Sequence, residues 1–182
     1  MAGHVCPWWG GYFIDHRLRR WLHNPEKIVG PYVRPGMTVM DLGCGMGIFS
    51  IDMARMVGET GLVIAVDLQQ EMLDVLTRRA RKAGVSDRIR THRARPALIG
   101  LETPVDFALA FAMLHETPDA RSFLEQIYRC LQPGGRLLVA EPQGHVRRHA
   151  FQSMLAMAEE LGFVLAEQPR IRLSHAAVLR HP

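Results

Sequence analysis

Three glycines and two carboxylates in the first half of the chain carry its clearest chemical signal. Residues 39–50 read V-M-D-L-G-C-G-M-G-I-F-S, an apolar run that ends in D-x-G-x-G-x-G, with Asp41, Gly43, Gly45 and Gly47. Glycines at alternate positions permit a tight turn and let a ligand approach backbone N–H groups without an intervening Cβ. The pattern predicts a strand, a glycine turn and a helix N-terminus, which is where α/β sheets bind nucleotide-like ligands.

The spacing of these glycines excludes two common phosphate-binding turns. A dinucleotide fingerprint needs a glycine three residues after its second glycine, and Ile48 occupies that position. A P-loop needs Gly-Lys-Ser or Gly-Lys-Thr, and neither follows Gly47. The glycine turn therefore belongs to another class of ligand site.

The second carboxylate, Asp67, closes the apolar run of residues 62–67, which is typical of a parallel strand buried on both faces. Asp67 lies 20 residues after Gly47. A carboxylate at the tip of a second strand can accept hydrogen bonds from both hydroxyls of a ribose. The other interpretation is an N-cap, because a helical pattern begins at Gln69.

The elements that must position these residues alternate between strand and helix. Apolar runs predict strands over residues 38–41, 62–67, 89–92, 105–111 and 136–140, and helical patterns follow most of them. After a final helix, two short runs at residues 163–166 and 176–179 are close enough to pair antiparallel. This order predicts an α/β, doubly wound, mainly parallel sheet with helices on both faces.

Length and composition suit one domain. The chain has 182 residues, of which 48% are apolar and 22% charged, so we expect residues 1–182 to form a single domain with its core in residues 17–182. We find neither a signal-peptide pattern nor an apolar run of the roughly 18 residues that span a membrane. Three scattered cysteines do not form a disulfide framework. These features predict a cytoplasmic protein with no membrane partner.

The net charge of +4 comes mainly from arginines spread over the chain. The densest groups are residues 78–82 and the set Arg88, Arg90, Arg93 and Arg95. Solvated helix and strand faces explain this spread, and a nucleic-acid surface is the less favoured alternative.

Residues 1–16 contain Trp8, Trp9, a glycine pair and further aromatic residues ahead of the predicted core. Aromatic segments with glycine hinges close over ligand sites in many enzymes, so these residues are candidates for a flap. The alternative is that their rings plug one end of the core. His4 and Cys6 fall short of a zinc pattern because no second pair of ligands follows, and no metal site is predicted.

The ordered set of motifs resembles the class I S-adenosylmethionine-dependent methyltransferases over roughly residues 17–180. Residues 41–47 match motif I of that family, Asp67 matches its acidic residue after the second strand, and residues 131–139 (L-Q-P-G-G-R-L-L-V) match its turn into the fifth strand. Residues 111–119 (F-A-M-L-H-E-T-P-D) resemble the loop after strand four in the small-molecule branch, related to ubiquinone and menaquinone methyltransferases. The resemblance implies a Rossmann-like sheet of seven strands in the order 3-2-1-4-5-7-6, with strand seven antiparallel.

The same resemblance implies S-adenosylmethionine as cofactor and assigns roles to individual residues. Asp41 and the turn from Gly43 through Gly45 to Gly47 would hold the methionine portion, and Asp67 the ribose. Leu68 would pack on the adenine, and Phe111 would border the methyl group.

One position departs from the family pattern. The family often has an acidic residue after strand three to bind the adenine amine, and this chain has Arg95 in that region. A guanidinium cannot accept that hydrogen bond. Arg95 would either stack on the adenine ring or point to solvent.

For the acceptor, the resemblance implies a small molecule whose identity and accepting atom the sequence does not specify. A hydroxyl or carbon acid must lose a proton, and His115, with an ordinary pKa of about 6.5, is the candidate base. Glu116 is a weaker candidate. Two other functions remain open: an RNA or protein methyltransferase, and an inactive S-adenosylmethionine-binding protein. The oligomeric state is unknown from the sequence.

Overall fold

The computed structural model describes residues 23–182. The predicted flap, residues 1–16, and the residues around His4 and Cys6 lie outside this range. The described helices are α1 (Pro25–Val29), α2 (Ile48–Val57), α3 (Gln70–Lys82), α4 (Ala120–Cys130) and α5 (Arg148–Glu160). The described strands are β1 (Thr38–Leu42), β2 (Leu62–Asp67), β3 (Ile89–Arg93), β4 (Val105–Phe111), β5 (Leu131–Pro142), β6 (Val164–Glu167) and β7 (Ser174–Arg180).

The strands form one seven-stranded sheet in the order β3-β2-β1-β4-β5-β7-β6. Strands β1 to β5 pair in parallel, and β7 pairs antiparallel with both β5 and β6. This arrangement confirms the predicted fold class, strand order and antiparallel seventh strand. The central strand β1 ends between β2 and β4, so the carboxyl ends of these three strands meet at one edge of the sheet.

Two layers of apolar side chains cover the faces of the sheet. The first layer packs α2 and α3 onto one face and includes Val39, Phe49 and Leu76. The second packs α4 and α5 onto the other face and includes Leu124 and Phe151. Successive strand residues alternate between the layers because side chains on a strand point alternately to its two faces.

The connection between β3 and β4 departs from the regular alternation of strand and helix. Residues 94–104 form no helix, and Pro96, Gly100 and Pro104 interrupt any helical pattern there. Side chains hold the segment instead. Gln126 of α4 accepts a hydrogen bond from the Ile99 N–H at 2.8 Å and donates one to the Ala97 carbonyl at 2.8 Å.

Helix boundaries follow local capping. Helix α1 begins at Pro25, and the Asn24 side chain accepts a hydrogen bond from the Lys27 N–H. Asn24 therefore acts as the N-cap of this helix. Helix α2 ends at Val57, and Gly58, with φ of +69°, is its C-cap. Among residues 23–182, no helix is long and apolar enough to cross a membrane.

Candidate active site

The end of β1 places a buried carboxylate beneath the glycine turn. Asp41 is 2% exposed, and the Ser50 hydroxyl, in the first turn of α2, donates a hydrogen bond to its Oδ2. Burial raises the pKa of Asp41 to about 7, the Ser50 hydrogen bond opposes the rise, and the charge of Asp67 adds to it. Asp41 therefore exchanges its proton near neutral pH in the folded protein.

The backbone of the glycine turn requires glycine at all three positions, and the surroundings of these positions differ. All three residues have positive φ, 67° at Gly43, 52° at Gly45 and 84° at Gly47. A Cβ at Gly47 would lie 2.1 Å from Cδ1 of Leu76, so this glycine lets α3 approach. A Cβ at Gly45 would meet nothing within 4 Å. The backbone at Gly45 therefore faces open space, as a ligand cradle requires.

Asp67 links the glycine turn to the helix that follows β2. Its Oδ2 accepts a hydrogen bond from the Gly45 N–H at 2.8 Å, and its Oδ1 accepts one from the Gln69 N–H at 3.0 Å. Burial raises its pKa, and these backbone hydrogen bonds oppose the rise. Gln69 is the N-cap residue of α3, so Asp67 supports the helix start from outside it. Each carboxylate oxygen has two acceptor sites, which leaves capacity for ribose hydroxyls.

These residues fit the cofactor implied by the sequence. The backbone at Gly45 is open and bonded to Asp67, and the carboxyl groups of Asp67 and Asp41 can accept hydrogen bonds from a ribose or an ammonium group. Asp41 and Asp67 lie on the same face of the sheet, as their positions relative to Val39 and Ala65 require. Leu68 is half-buried beside Asp67, as contact with an adenine would require.

The segment after β3, where the adenine is predicted to bind, carries exposed arginine side chains. Residues 94–98 form a tight turn in which Arg95 and Leu98 exchange backbone hydrogen bonds of 2.9 and 3.0 Å. The Arg95 side chain is exposed, and Arg93 Nε donates to the Leu68 carbonyl at 3.4 Å. Stacking of Arg95 on the adenine stays a prediction.

The end of β4 closes the site on the side away from β2. Phe111 is buried, and its ring lies 4.8 Å from the Phe49 ring and 5.0 Å from the His23 ring. The chain then turns sharply, with φ of 55° at Ala112. A Cβ at Gly43 would lie 2.9 Å from Cβ of Met113, so the loop after β4 sits directly against the glycine turn.

His115, two residues after Met113, pairs with a buried carboxylate. Its Nδ1 bonds Oε2 of Glu141 at the end of β5, and the Leu114 N–H donates to Oε1 of the same side chain at 2.8 Å. The Glu141 side chain is 3% exposed and the His115 side chain 21%. The Glu141 hydrogen bond raises the pKa of His115, and desolvation opposes the rise. We call His115 and Glu141 the His–Glu pair.

Sequence reasoning missed Glu141, although a signal for it was present. Asp41, Asp67 and Glu141 each close an apolar strand run, and the first two were identified by that position. Residues 137–142 read L-L-V-A-E-P, so the same rule selects Glu141. Ser50 was also missed, because a serine within a helical pattern gives no sign of its partner.

The structure therefore brings most of the predicted site residues to one edge of the sheet. Asp41, Asp67, Phe111 and His115 follow or end neighbouring parallel strands, with the glycine turn between them. A cavity of about 290 Å³ lies at the opposite edge, beside Asp106, and is separate from this site. Within the described part of the chain, no group of three or more His, Cys, Asp or Glu side chains is arranged to hold a metal ion.

Comparison with curated proteins identifies relatives of this arrangement. The chain is 31% identical over 156 residues to the ubiquinone/menaquinone biosynthesis C-methyltransferase of Haemophilus ducreyi, covering 82% of this chain and 60% of that protein. It is 30% identical over 125 residues to the demethylmenaquinone methyltransferase of Oceanobacillus iheyensis, covering 69% and 52%. The chain thus spans between half and two thirds of the length of these two relatives.

A solved structure and a family model also identify this chain as similar to methyltransferases. A S-adenosylmethionine-dependent methyltransferase from Aquifex aeolicus has the same fold, with a TM-score of 0.87 and 23% identity over 98% of this chain and 100% of that one. The family model described as a methyltransferase domain matches residues 34–171, which contain the glycine turn, Asp67 and the His–Glu pair. The chain belongs to the class I methyltransferases, the family that uses S-adenosylmethionine as cofactor.

Proposed function

We propose that this protein transfers a methyl group from S-adenosylmethionine to a small-molecule acceptor. The observation that carries the proposal is the open backbone of Gly45, held by Asp67 and flanked by buried Asp41. Asp41 and the glycine turn would hold the methionine portion, and Asp67 would accept hydrogen bonds from the ribose. Bound S-adenosylmethionine supplies an electrophilic methyl group whose transfer leaves a neutral thioether.

Methyl transfer needs alignment of the acceptor and exclusion of water more than it needs acid or base groups. The buried ring of Phe111 and the loop that touches Gly43 form an apolar wall at this point of the site. We propose that residues 1–16 complete this wall as a flap. One of the two relatives is named as a C-methyltransferase of ubiquinone and menaquinone biosynthesis and the other as a demethylmenaquinone methyltransferase, and these names support a small organic acceptor for the present chain.

The test begins with the cofactor alone. Calorimetry with S-adenosylmethionine should show saturable binding, which the product S-adenosylhomocysteine should compete. Transfer of a labelled methyl group is then measured with three acceptor pools: an ultrafiltered small-molecule extract, total RNA and total protein. Incorporation should be found in the small-molecule pool.

Each other outcome identifies a competing function. Absence of cofactor binding at millimolar concentration would reject the proposal. Incorporation into RNA or protein would make the chain a macromolecular methyltransferase. Binding without transfer to any pool would support the inactive binding protein. The cytoplasmic location and the lack of a nucleic-acid partner stay predictions.

A further inference from the structure

We propose that His115 Nε2 takes a proton from the methyl acceptor and that Glu141 is its positioning residue, so the acceptor is a hydroxyl or an acidic carbon. This inference rests on the proposed function and specifies the chemistry of the acceptor. It is carried by the geometry of the His–Glu pair.

Glu141 is arranged to hold a histidine in one orientation. It ends a strand that is buried on both faces, and its side chain is almost fully removed from solvent. The Leu114 N–H fixes one carboxylate oxygen, and His115 Nδ1 engages the other. A buried carboxylate is costly unless it is paired and hydrogen-bonded, and among residues 23–182 Glu141 meets both conditions through the loop after β4.

This bond selects the tautomer of His115. A carboxylate accepts hydrogen bonds, so in the neutral imidazole Nδ1 carries the proton and Nε2 keeps its lone pair. The imidazole is partly exposed, unlike Glu141. Nε2 is therefore the atom that can receive a proton, and the carboxylate behind Nδ1 stabilises the imidazolium that results.

The groups around the imidazole favour a cation. On its own turn, Glu116 Oε1 lies 4.0 Å from Nε2. On the segment after β5, the His145 ring lies 5.5 Å away, tilted by 60°. Two carboxylates and one further imidazole thus face His115, and the pKa of His115 is raised, chiefly by the Glu141 hydrogen bond.

The loop that carries His115 also touches the glycine turn of the proposed cofactor site. Met113 packs against Gly43 of the glycine turn, and Phe111 ends the preceding strand. The Leu114 N–H and His115 Nδ1 both bond the Glu141 carboxylate, so two consecutive residues of the short turn are fixed to β5. The loop therefore brings a proton acceptor to the same edge as the cofactor residues.

The proton balance defines the acceptor class. The acceptor's oxygen or carbon forms the new bond to the methyl group, and the electron pair of the broken sulfur–carbon bond stays on sulfur. The acceptor's proton moves to Nε2 and afterwards to water, which restores the neutral imidazole. A thiol is already partly ionised near neutral pH, and a neutral amine attacks through its lone pair, so neither needs this base.

The first experiment tests the pair without catalysis. Nitrogen-detected NMR of the cofactor-free protein should show the Nδ1–H tautomer of His115. Glu141→Gln should lower the pKa of His115 more than the matched variant Glu116→Gln does. A His115 titration that is the same in both variants, or an Nε2–H tautomer, would overturn the inference even if methyl transfer takes place.

The second experiment tests the acceptor class, with hydroquinone, nitrohydroquinone and a small thiol as probes. His115→Gln should lower kcat for hydroquinone by roughly 10²- to 10⁴-fold, the usual range for a general base. The loss should shrink for the nitro analogue, which is more ionised, and disappear for the thiol. Glu141→Gln should move the acidic limb of the kcat/KM profile to lower pH, because it lowers the pKa of the base.

The two experiments separate this inference from the proposed function. Equal losses for all three probes would mean that His115 has a structural role. Absence of transfer to every probe, with S-adenosylmethionine unbound, would reject the proposed function. If Glu141→Gln fails to fold, the probe series with His115→Gln still decides the question, because the His115 side chain is partly exposed.

Discussion

The backbone N–H of Gly45 donates to Oδ2 of Asp67 at 2.8 Å, across 22 residues of sequence. This bond joins the turn after β1 to the tip of β2, so two parts of the proposed cofactor site that come from different strands are fixed to each other. A hydrogen bond to a charged group contributes about 1.5–3 kcal/mol. Asp67 therefore shapes the turn, and in the proposed function the same carboxylate presents acceptors to a ribose.

Asp67→Asn should weaken S-adenosylmethionine binding by roughly 10- to 100-fold in Kd. The amide keeps one oxygen, but its NH2 group must face either the Gly45 N–H or the Gln69 N–H, and a donor cannot accept from a donor, so the turn loses one of its two bonds and the ribose loses an acceptor. Calorimetry measures the change. The control is Asp87→Asn, because that side chain is 72% exposed and lies away from the site. Equal affinity in the two variants would contradict the role of Asp67.

Gly45→Ala should fold and yet lose cofactor affinity. Its Cβ would meet no protein atom within 4 Å, so the new methyl enters the space assigned to the ligand. Gly84→Ala is a matched control, since Gly84 also has positive φ, +70°, and open surroundings. Both variants should lose about 1–2 kcal/mol of unfolding free energy from backbone strain. Only Gly45→Ala should raise the Kd; similar cofactor binding by both would place the ligand elsewhere.

Stability should depend on the ionisation of Asp41. In the folded protein this carboxyl keeps its proton up to a pKa of about 7, whereas in the unfolded chain it loses it at about pH 3.9. Between these values the folded state binds more protons, so the free energy of unfolding falls as pH rises, by at most about 1.4 kcal/mol per pH unit. Asp41→Asn cannot ionise and should remove this slope.

Urea unfolding of both proteins from about pH 4 to about pH 8 measures the difference in slope. Asp67 also has a raised pKa and its charge is coupled to that of Asp41, so the difference in slope reports Asp41 together with this coupling. A difference in stability that stays constant across this range would show that Asp41 does not exchange its proton there.

Gln126→Leu should destabilise the connection between β3 and β4. The substitution removes the partners of the Ile99 N–H and the Ala97 carbonyl, and Ile99 is 1% exposed. An unpaired buried group costs about 1–3 kcal/mol. Urea unfolding should show this loss, and hydrogen exchange should accelerate at Ile99. The exposed Gln132→Leu is the control, and equal stability of the two variants would mean that the segment is held by its own backbone.

The fold was predictable because its signals are local. Apolar runs that end in Asp41 and Asp67, and turns marked by glycine, specify buried parallel strands without reference to the rest of the chain. The connection of residues 94–104 was less predictable, because it depends on Gln126, which lies on a distant helix. A glutamine in a helical pattern gives no sign of the backbone groups that it will bind.

The site was predictable to the extent that ligands bind at strand ends. The glycine turn, Asp67 and Phe111 follow from that rule, and so does the placement of His115 after β4. The partner of His115 was not predicted, since the approach of β4 and β5 depends on register: Phe111 pairs with Ala140, one residue before Glu141. Register is a property of the assembled sheet, which a pattern along one strand does not contain.

The sheet separates the two halves of the site. Asp41 and Asp67 share a face with the α2 and α3 layer, whereas Glu141 lies on the face covered by α4 and α5. Substitutions within the α4 and α5 layer can thus re-aim the His–Glu pair while the cofactor residues keep their support. Substitutions on one face of the sheet can therefore change which acceptor is used, while the cofactor residues on the other face stay the same.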